Sequence, residues 1–232
     1  MAATLSFLSP PTVCPYLPDR ISQLRYEVDS ALAADEYMAR LRQGWRRFGP
    51  IAFRPECPSC RMCQSLRVPV ATFRPNESQR RAWQANRRDV EVRQGEPALS
   101  AEKEELYDRF HQHGVATKGW PAEGHLGMRI FTLNPFRTEE WRYYLGDRLI
   151  AVGYVDALAE GLSAIYFFWD PADAKRSLGT FNILMMIDAA QARGLPHVYL
   201  GYYVEGCRSL EYKAKFRPNE LLRPEGHWDA FV

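Results

Sequence analysis

The chain has 232 residues, 46% of them hydrophobic and 25% charged, with a formal net charge of +2. That length holds one large domain or two small ones, and the composition is that of a soluble globular protein. The most apolar run, LIAVGYVDALAEGLSAIYFFW, is broken by Asp156 and Glu160, and the opening MAATLSFLSPPTVC has no basic segment before an apolar one. The expectation is therefore a cytoplasmic protein with no membrane association.

In chain order, QLRYEV (23–28) alternates like a strand, and ADEYMARLRQGWRRFG (34–49) reads as a helix ended by Gly49. A loop with three cysteines in seven positions follows: Cys57, Cys60 and Cys63. SLRVPVATF (65–73) reads as a strand. SQRRAWQANRRD (78–89) reads as a strongly basic helix capped by Ser78, and VEVRQGEPALS (90–100) as a short strand running into a linker. Residues 1–95 carry 15 arginines, no lysine and 9 acidic residues, whereas residues 96–232 carry 15 basic and 19 acidic ones. A basic first half suits a polyanion, and the arginine fork suits phosphate. General arginine richness is the competing explanation, since the chain has 25 Arg against 5 Lys throughout.

From Ser100 the pattern changes. SAEKEELYDRFHQHG reads as a helix with an acidic first turn, as the helix dipole favours. Three strands follow, WRYYL, RLIAVGYVDAL and LSAIYFFWDP, joined by turns at Gly146-Asp147 and Glu160-Gly161. SLGTFNILMMIDAAQARG (177–194) is an apolar helix, HVYLGYYV a buried strand, CRSLEYKAKF a short helix, and NELLRPEGHW closes the chain. The order gives an α/β (α+β) fold: an amino-terminal domain over 1–99, then a domain over 100–232 with the mixed central sheet of a GNAT-like acyltransferase.

An acyl-CoA enzyme of that fold holds the pyrophosphate on a glycine-bearing turn before its central helix. Here the turn is Arg176-Ser177-Leu178-Gly179-Thr180-Phe181. Phe181 stands where a small residue is needed and is expected to crowd a pyrophosphate, so CoA is not expected. The second dense region is YLGYYVEGCRSLEYKAKFRPNE (199–220), at the end of a central strand, where open α/β sheets bind ligands. Its tyrosines are either pocket groups or core packing. Lys213 and Arg217 are either ligand cations or a solvated helix face. No Ser-His-Asp or Cys-His arrangement has support; His111 and His113, two apart on a helix, face different ways.

CPYLPDR, GWRRFGPIAFRPECPSCRMCQSLRVPVATFRPNESQRR, YFFWDPADAKRSLGTFNILMMIDAA and YLGYYVEGCRSLEYKAKFRPNELL together resemble the aminoacyl-tRNA–protein transferase family, in its bacterial leucyltransferase branch. The resemblance spans roughly residues 14–228. It implies transfer of an amino acid, Leu before Arg, from aminoacyl-tRNA to the α-amino group of proteins that begin with Asp or Glu. Such transfer marks them for N-degron degradation and needs no CoA. A CoA-dependent acetyltransferase and a non-enzymatic RNA-binding module are the alternatives.

Residue chemistry then suggests roles within that reaction. Glu205 orients or deprotonates the acceptor amine, or is simply a helix-cap carboxylate. Tyr202, Tyr203 and Tyr212 line the aminoacyl pocket or donate to the oxyanion. Arg176, Lys213 and Arg217 are candidates for the acceptor's carboxylate. Arg80, Arg81, Arg87 and Arg88 face tRNA, with Trp83 available to stack. Overlapping C-x-x-C pairs in a cytosolic protein favour a metal, and Cys14 completes a set with Cys57, Cys60 and Cys63. Zinc or an iron–sulfur cluster is one reading of this set, which cysteines in the family support; redox-sensing thiols are the other.

Overall fold

The structure is a computed structural model of the chain and describes residues 4–231 apart from 121 and 123. Fourteen strands are described: β1 (Leu5–Leu8), β2 (Thr12–Val13), β3 (Ile21–Ser22), β4 (Leu24–Val28), β5 (Arg46–Phe48), β6 (Ile51–Pro55), β7 (Gln64–Pro69), β8 (Val90–Gly95), β9 (Thr138–Leu145), β10 (Arg148–Leu158), β11 (Gly161–Trp169), β12 (His197–Tyr203), β13 (Asn219–Leu222) and β14 (Trp228–Phe231). The helices are α1 (Ala34–Arg42), α2 (Glu77–Arg87), α3 (Ala101–Lys118), α4 (Leu178–Ala192) and the single turn α5 (Arg208–Glu211).

Eight strands form the main sheet, in the order β14-β13-β7-β12-β11-β10-β9-β8. Among the described residues its one parallel pairing is β11 with β12; the rest are antiparallel. The boundary expected near residue 99 falls inside this sheet, because β7 and β8 precede it and β9 to β14 follow it. A smaller antiparallel sheet, β1-β4-β6-β5, is built from the first 55 residues alone.

Helix α4 is apolar all round and therefore sinks into the main core, where Phe181, Met186 and Ala190 are fully buried among Leu66, Val68, Trp141, Tyr143 and Val198. Its outer side is covered by α2. Helix α3 and the 3-10 segment His125–Thr132 cover the opposite face, burying Leu106, Tyr107, Phe110, Met128 and Phe131 against Val152, Tyr154 and Phe168. A third cluster joins Tyr37, Met38 and Leu41 of α1 to Leu158 and Tyr199.

Three local expectations change. The helix expected over 34–49 stops at Arg42, because Gly44 takes a left-handed φ of +87° and the chain turns into the β5–β6 hairpin, with Gly49 at its turn. Helix α2 is capped by Asn76, not Ser78: the Asn76 side chain accepts from the Gln79 backbone N–H, and the Gln79 side chain accepts from the Asn76 N–H. Phe181 does not crowd the turn before α4. Its ring lies in the core beside Trp83 and Tyr143, and a Cβ on Gly179 would meet nothing within 4 Å.

Candidate active site

Strands β11 and β12 pair only through Gly161–Ser163 with His197–Tyr199, then part. Each carries an irregularity where they separate. On β11, Tyr166 pairs with Tyr154 and Ala164 with Val155, so Ile165 is an extra residue. On β12, Tyr199 pairs with Arg67 and Gly201 with Leu66, so Leu200 is extra. Bulges of this kind bend a strand and interrupt its ladder. The consequence is a slot between two central strands, running from the end of their pairing at Ser163 and Tyr199 towards their carboxyl ends, where sheets of this class take their ligands.

Arg46 of β5 stands at the apex of the slot. Its side chain is buried; Nη1 donates to Ser163 Oγ at 3.1 Å, and Nη2 donates to the Ala164 carbonyl of β11. On the other side the guanidinium lies against Gly201 of β12, where a Cβ would sit 3.5 Å from Arg46 Nε. Gly201 has a φ of +82°, which side-chain-bearing residues rarely adopt. Arg46 thus wedges the strands apart from a position sequence reasoning missed. The signal was present as two adjacent arginines in GWRRFG, but the helix expected there would have exposed both.

The residues singled out around the slot divide by environment. Tyr202 is buried, and its hydroxyl donates to the Gly44 carbonyl at 2.9 Å. Burial holds it well above the ordinary phenol range. Tyr203 is half-buried with its ring 5.1 Å from that of Phe231, and Tyr212 is half-buried with its phenol pushed up to about 12. Glu205 is exposed, beside Tyr203; Cys207, not Glu205, caps α5. Lys213 is half-buried and donates to the Tyr202 carbonyl at 2.9 Å. Burial first, and the charge of Arg46 second, push its ammonium down to about 7.

The other two acceptor candidates are elsewhere. Arg176 forms a two-pronged pair with Asp89, at 3.0 and 2.9 Å, and its carbonyl accepts from Asn86, which binds the start of α4 to the end of α2. Arg217 is exposed, and its carbonyl accepts from Arg74 N beyond the far end of β7. On α2, Arg80, Arg81, Arg87 and Arg88 are all exposed, and Arg87 lies over the Trp83 ring at 5.7 Å. Beside them is a cavity of about 360 Å³ whose lining includes Phe73, Arg74, Arg80, Trp83, Leu184 and Asp188.

The cysteines converge around Cys63. Cys14, Cys57 and Cys207 are buried, Cys60 and Cys63 half-buried, and all five are free thiols. Cys63 is pushed up to about 12 by burial and by the other four cysteines around it. Cys57 Sγ is occupied by the Gln23 backbone, 3.5 Å from its nitrogen. Among the described residues no three His, Cys, Asp or Glu side chains are placed to hold a metal ion.

Comparison with known proteins matches two segments of the chain to one family. Residues 12–81 match the family model described as arginine-tRNA-protein transferase, N terminus, and residues 102–223 match the C terminus of the same family. An aspartate/glutamate leucyltransferase from Nitrosococcus oceani is 40% identical, with 94% of this chain and 92% of that protein covered. Namesakes from Pseudomonas fluorescens and Halorhodospira halophila are 36% and 35% identical, with 93% and 94% of this chain covered and 92% and 93% of theirs. Among solved structures, L-PGS from Bacillus licheniformis superposes with a TM-score of 0.52 at 12% identity, covering 73% of this chain and 58% of that one, a likeness of fold. No helix among the described residues is long and apolar enough to cross a membrane. The fold is that of a GNAT-like acyltransferase, and the chain belongs to the arginine-tRNA-protein transferase family.

Proposed function

We propose that the protein transfers leucine from leucyl-tRNA to the α-amino group of proteins that begin with Asp or Glu. The observation that carries this is the 40% identity, over nearly the whole chain, to a relative named for that donor and those acceptors. The slot between β11 and β12 suits the chemistry. The neutral α-amine attacks the carbonyl of the aminoacyl ester, and a C–N bond forms. The C–O bond to the tRNA 3′ terminus breaks, and the amine's proton goes to the departing oxygen through water or a neighbouring side chain.

A free α-amine has a pKa of about 7.7–8.0, and the ester is already activated, so positioning supplies most of the acceleration. Backbone N–H groups beyond the end of the β11–β12 pairing are suitable donors for the oxyanion. Tyr203 and Tyr212, packed on one face at the carboxyl end of β12, shape the aminoacyl pocket, and Tyr202 holds the strand end from the other face through the Gly44 carbonyl. Glu205, exposed beside Tyr203, orients or deprotonates the acceptor amine. The exposed arginines of α2 follow the tRNA backbone, and Trp83 stacks on a base. Lys213 is the acceptor cation nearest the slot, with Arg176 and Arg217 further out.

Neither CoA nor another carrier is needed, because tRNA itself delivers the acyl group. Zinc and iron analysis of the purified protein tests a metal on the amino-terminal cysteines: one metal per chain supports it, and an active metal-free protein removes it. The transfer is tested with reporters beginning with Glu and with Ala, each given Leu-tRNA and Arg-tRNA, and product mass is read. One leucine added to the Glu reporter alone is the expected result. Arginine in its place changes the donor, and no adduct on either reporter overturns the reading.

A further inference from the structure

Arg46 is a buried guanidinium without a carboxylate. Charged side chains are rarely buried unless paired, and an uncompensated buried charge is strongly unfavourable. The next residue obeys that rule, since Arg47 is fully buried against Asp156. Arg46 instead donates to a hydroxyl and a carbonyl, both neutral, and forms no ion pair among the described residues. Lys213 is a second cation nearby, half-buried. Its Nζ donates to the carbonyl of Tyr202, and it too has no ion pair among the described residues.

The two cations are anchored on consecutive residues of β12: Arg46 against Gly201, Lys213 on Tyr202. Each feels the other, for the Arg46 charge is one reason that the Lys213 ammonium is pushed down to about 7. The nearby phenols do not supply the missing negative charge. Burial raises Tyr16 to about 12 and lifts Tyr37 and Tyr202 well above the ordinary phenol range, so all three are neutral at physiological pH. Cys207 is the remaining titratable side chain facing Lys213. The one acid near Arg46, Asp156, is occupied by Arg47 and Thr138.

We propose that Arg46 and Lys213 together seat the side-chain carboxylate of the acceptor's first residue, an inference that rests on the transfer reading above. A carboxylate is the anion that the site's place in the fold selects. Arg46 is buried where the strands part, whereas tRNA phosphates follow an exposed face such as that of α2. A carboxylate accepts from a guanidinium and an ammonium at once, and an amide of the same shape lacks the charge.

The test compares peptides beginning with Glu and with Gln in single-turnover leucine transfer, using the wild type, Arg46→Met, Arg46→Lys and Lys213→Met. The Met variants should lose roughly 10- to 150-fold in kcat/KM on the Glu peptide, the worth of a hydrogen bond to a charged group. The loss should appear in the acceptor KM, with the Gln peptide and the KM for Leu-tRNA unchanged, so the Glu-over-Gln preference collapses. Arg46→Lys should keep part of that preference. If both peptides slow equally in every folded variant, or if the KM for Leu-tRNA rises instead, the seat is wrong. Should Arg46→Met not fold, Lys213→Met and Arg46→Lys decide the matter by the same ratio. A wild type that adds no leucine to the Glu peptide overturns the transfer reading first, and the seat with it.

Discussion

Arg47 and Asp156 form an ion pair in which neither side chain reaches solvent. The guanidinium also donates to the Gly49 carbonyl, to Asn134 and to Thr138, while Phe136 lies under it at 4.3 Å. Since Arg47 is on β5 and Asp156 on β10, the pair fastens the small sheet to the main one. It also fixes the neighbouring Arg46 in the slot, because adjacent residues of a strand point to opposite faces.

Removing one partner of such a pair leaves a buried charge uncompensated. Arg47→Met should cost about 3–5 kcal/mol of stability, read from the urea midpoint. A loss under about 1 kcal/mol, in the range of an exposed pair, would mean that the sheets do not depend on this contact.

Lys213 makes stability depend on pH with a definite sign. Its folded ammonium lies near 7, while the unfolded one has the ordinary lysine value of about 10.4. Between those values the unfolded chain binds the extra proton, so unfolding becomes harder as pH rises from about 7 towards 10. Arg46 and Cys207 are the groups facing Lys213 that set this shift beyond burial. Lys213→Met should flatten that rise in a urea series across the interval. An unchanged slope would show that Lys213 titrates normally in the folded protein.

The exposed face of α2 predicts an electrostatic signature. Arg87→Ala and Arg88→Ala should each weaken Leu-tRNA binding and lower the slope of log K against log salt by roughly one. Acceptor-peptide KM should not move. Unchanged slopes in both variants would place the tRNA on another surface.

Much of the fold could be read in the sequence because periodicity and turns agreed there. The apolar run RLIAVGYVDAL, the turns at Gly146 and Gly161 that bound it, and the apolar 177–194 stretch gave β10, its hairpins and α4 in place. GWRRFG failed because MARLRQ continues its apparent helical period, and the effect of Gly44 at φ +87° depends on the hairpin packed behind it. The site was legible where the strand end of β12 drew attention to Lys213 and the tyrosines. Arg46 was not, since its meaning comes from contacts to Ser163 and Ala164, more than a hundred residues away. Phe181 misled for a related reason: which way a ring points at the start of a helix is settled by the core beneath it.

The most direct measurement is a crystal structure with 3′-deoxy-3′-leucylamido-adenosine, a stable analogue of the leucyl-tRNA terminus. The account predicts the leucyl group between β11 and β12 beyond Ser163 and Tyr199, its carbonyl oxygen on backbone N–H groups past the end of their pairing. A leucyl group bound outside that slot, with β11 and β12 unoccupied between Arg46 and Tyr203, would contradict it.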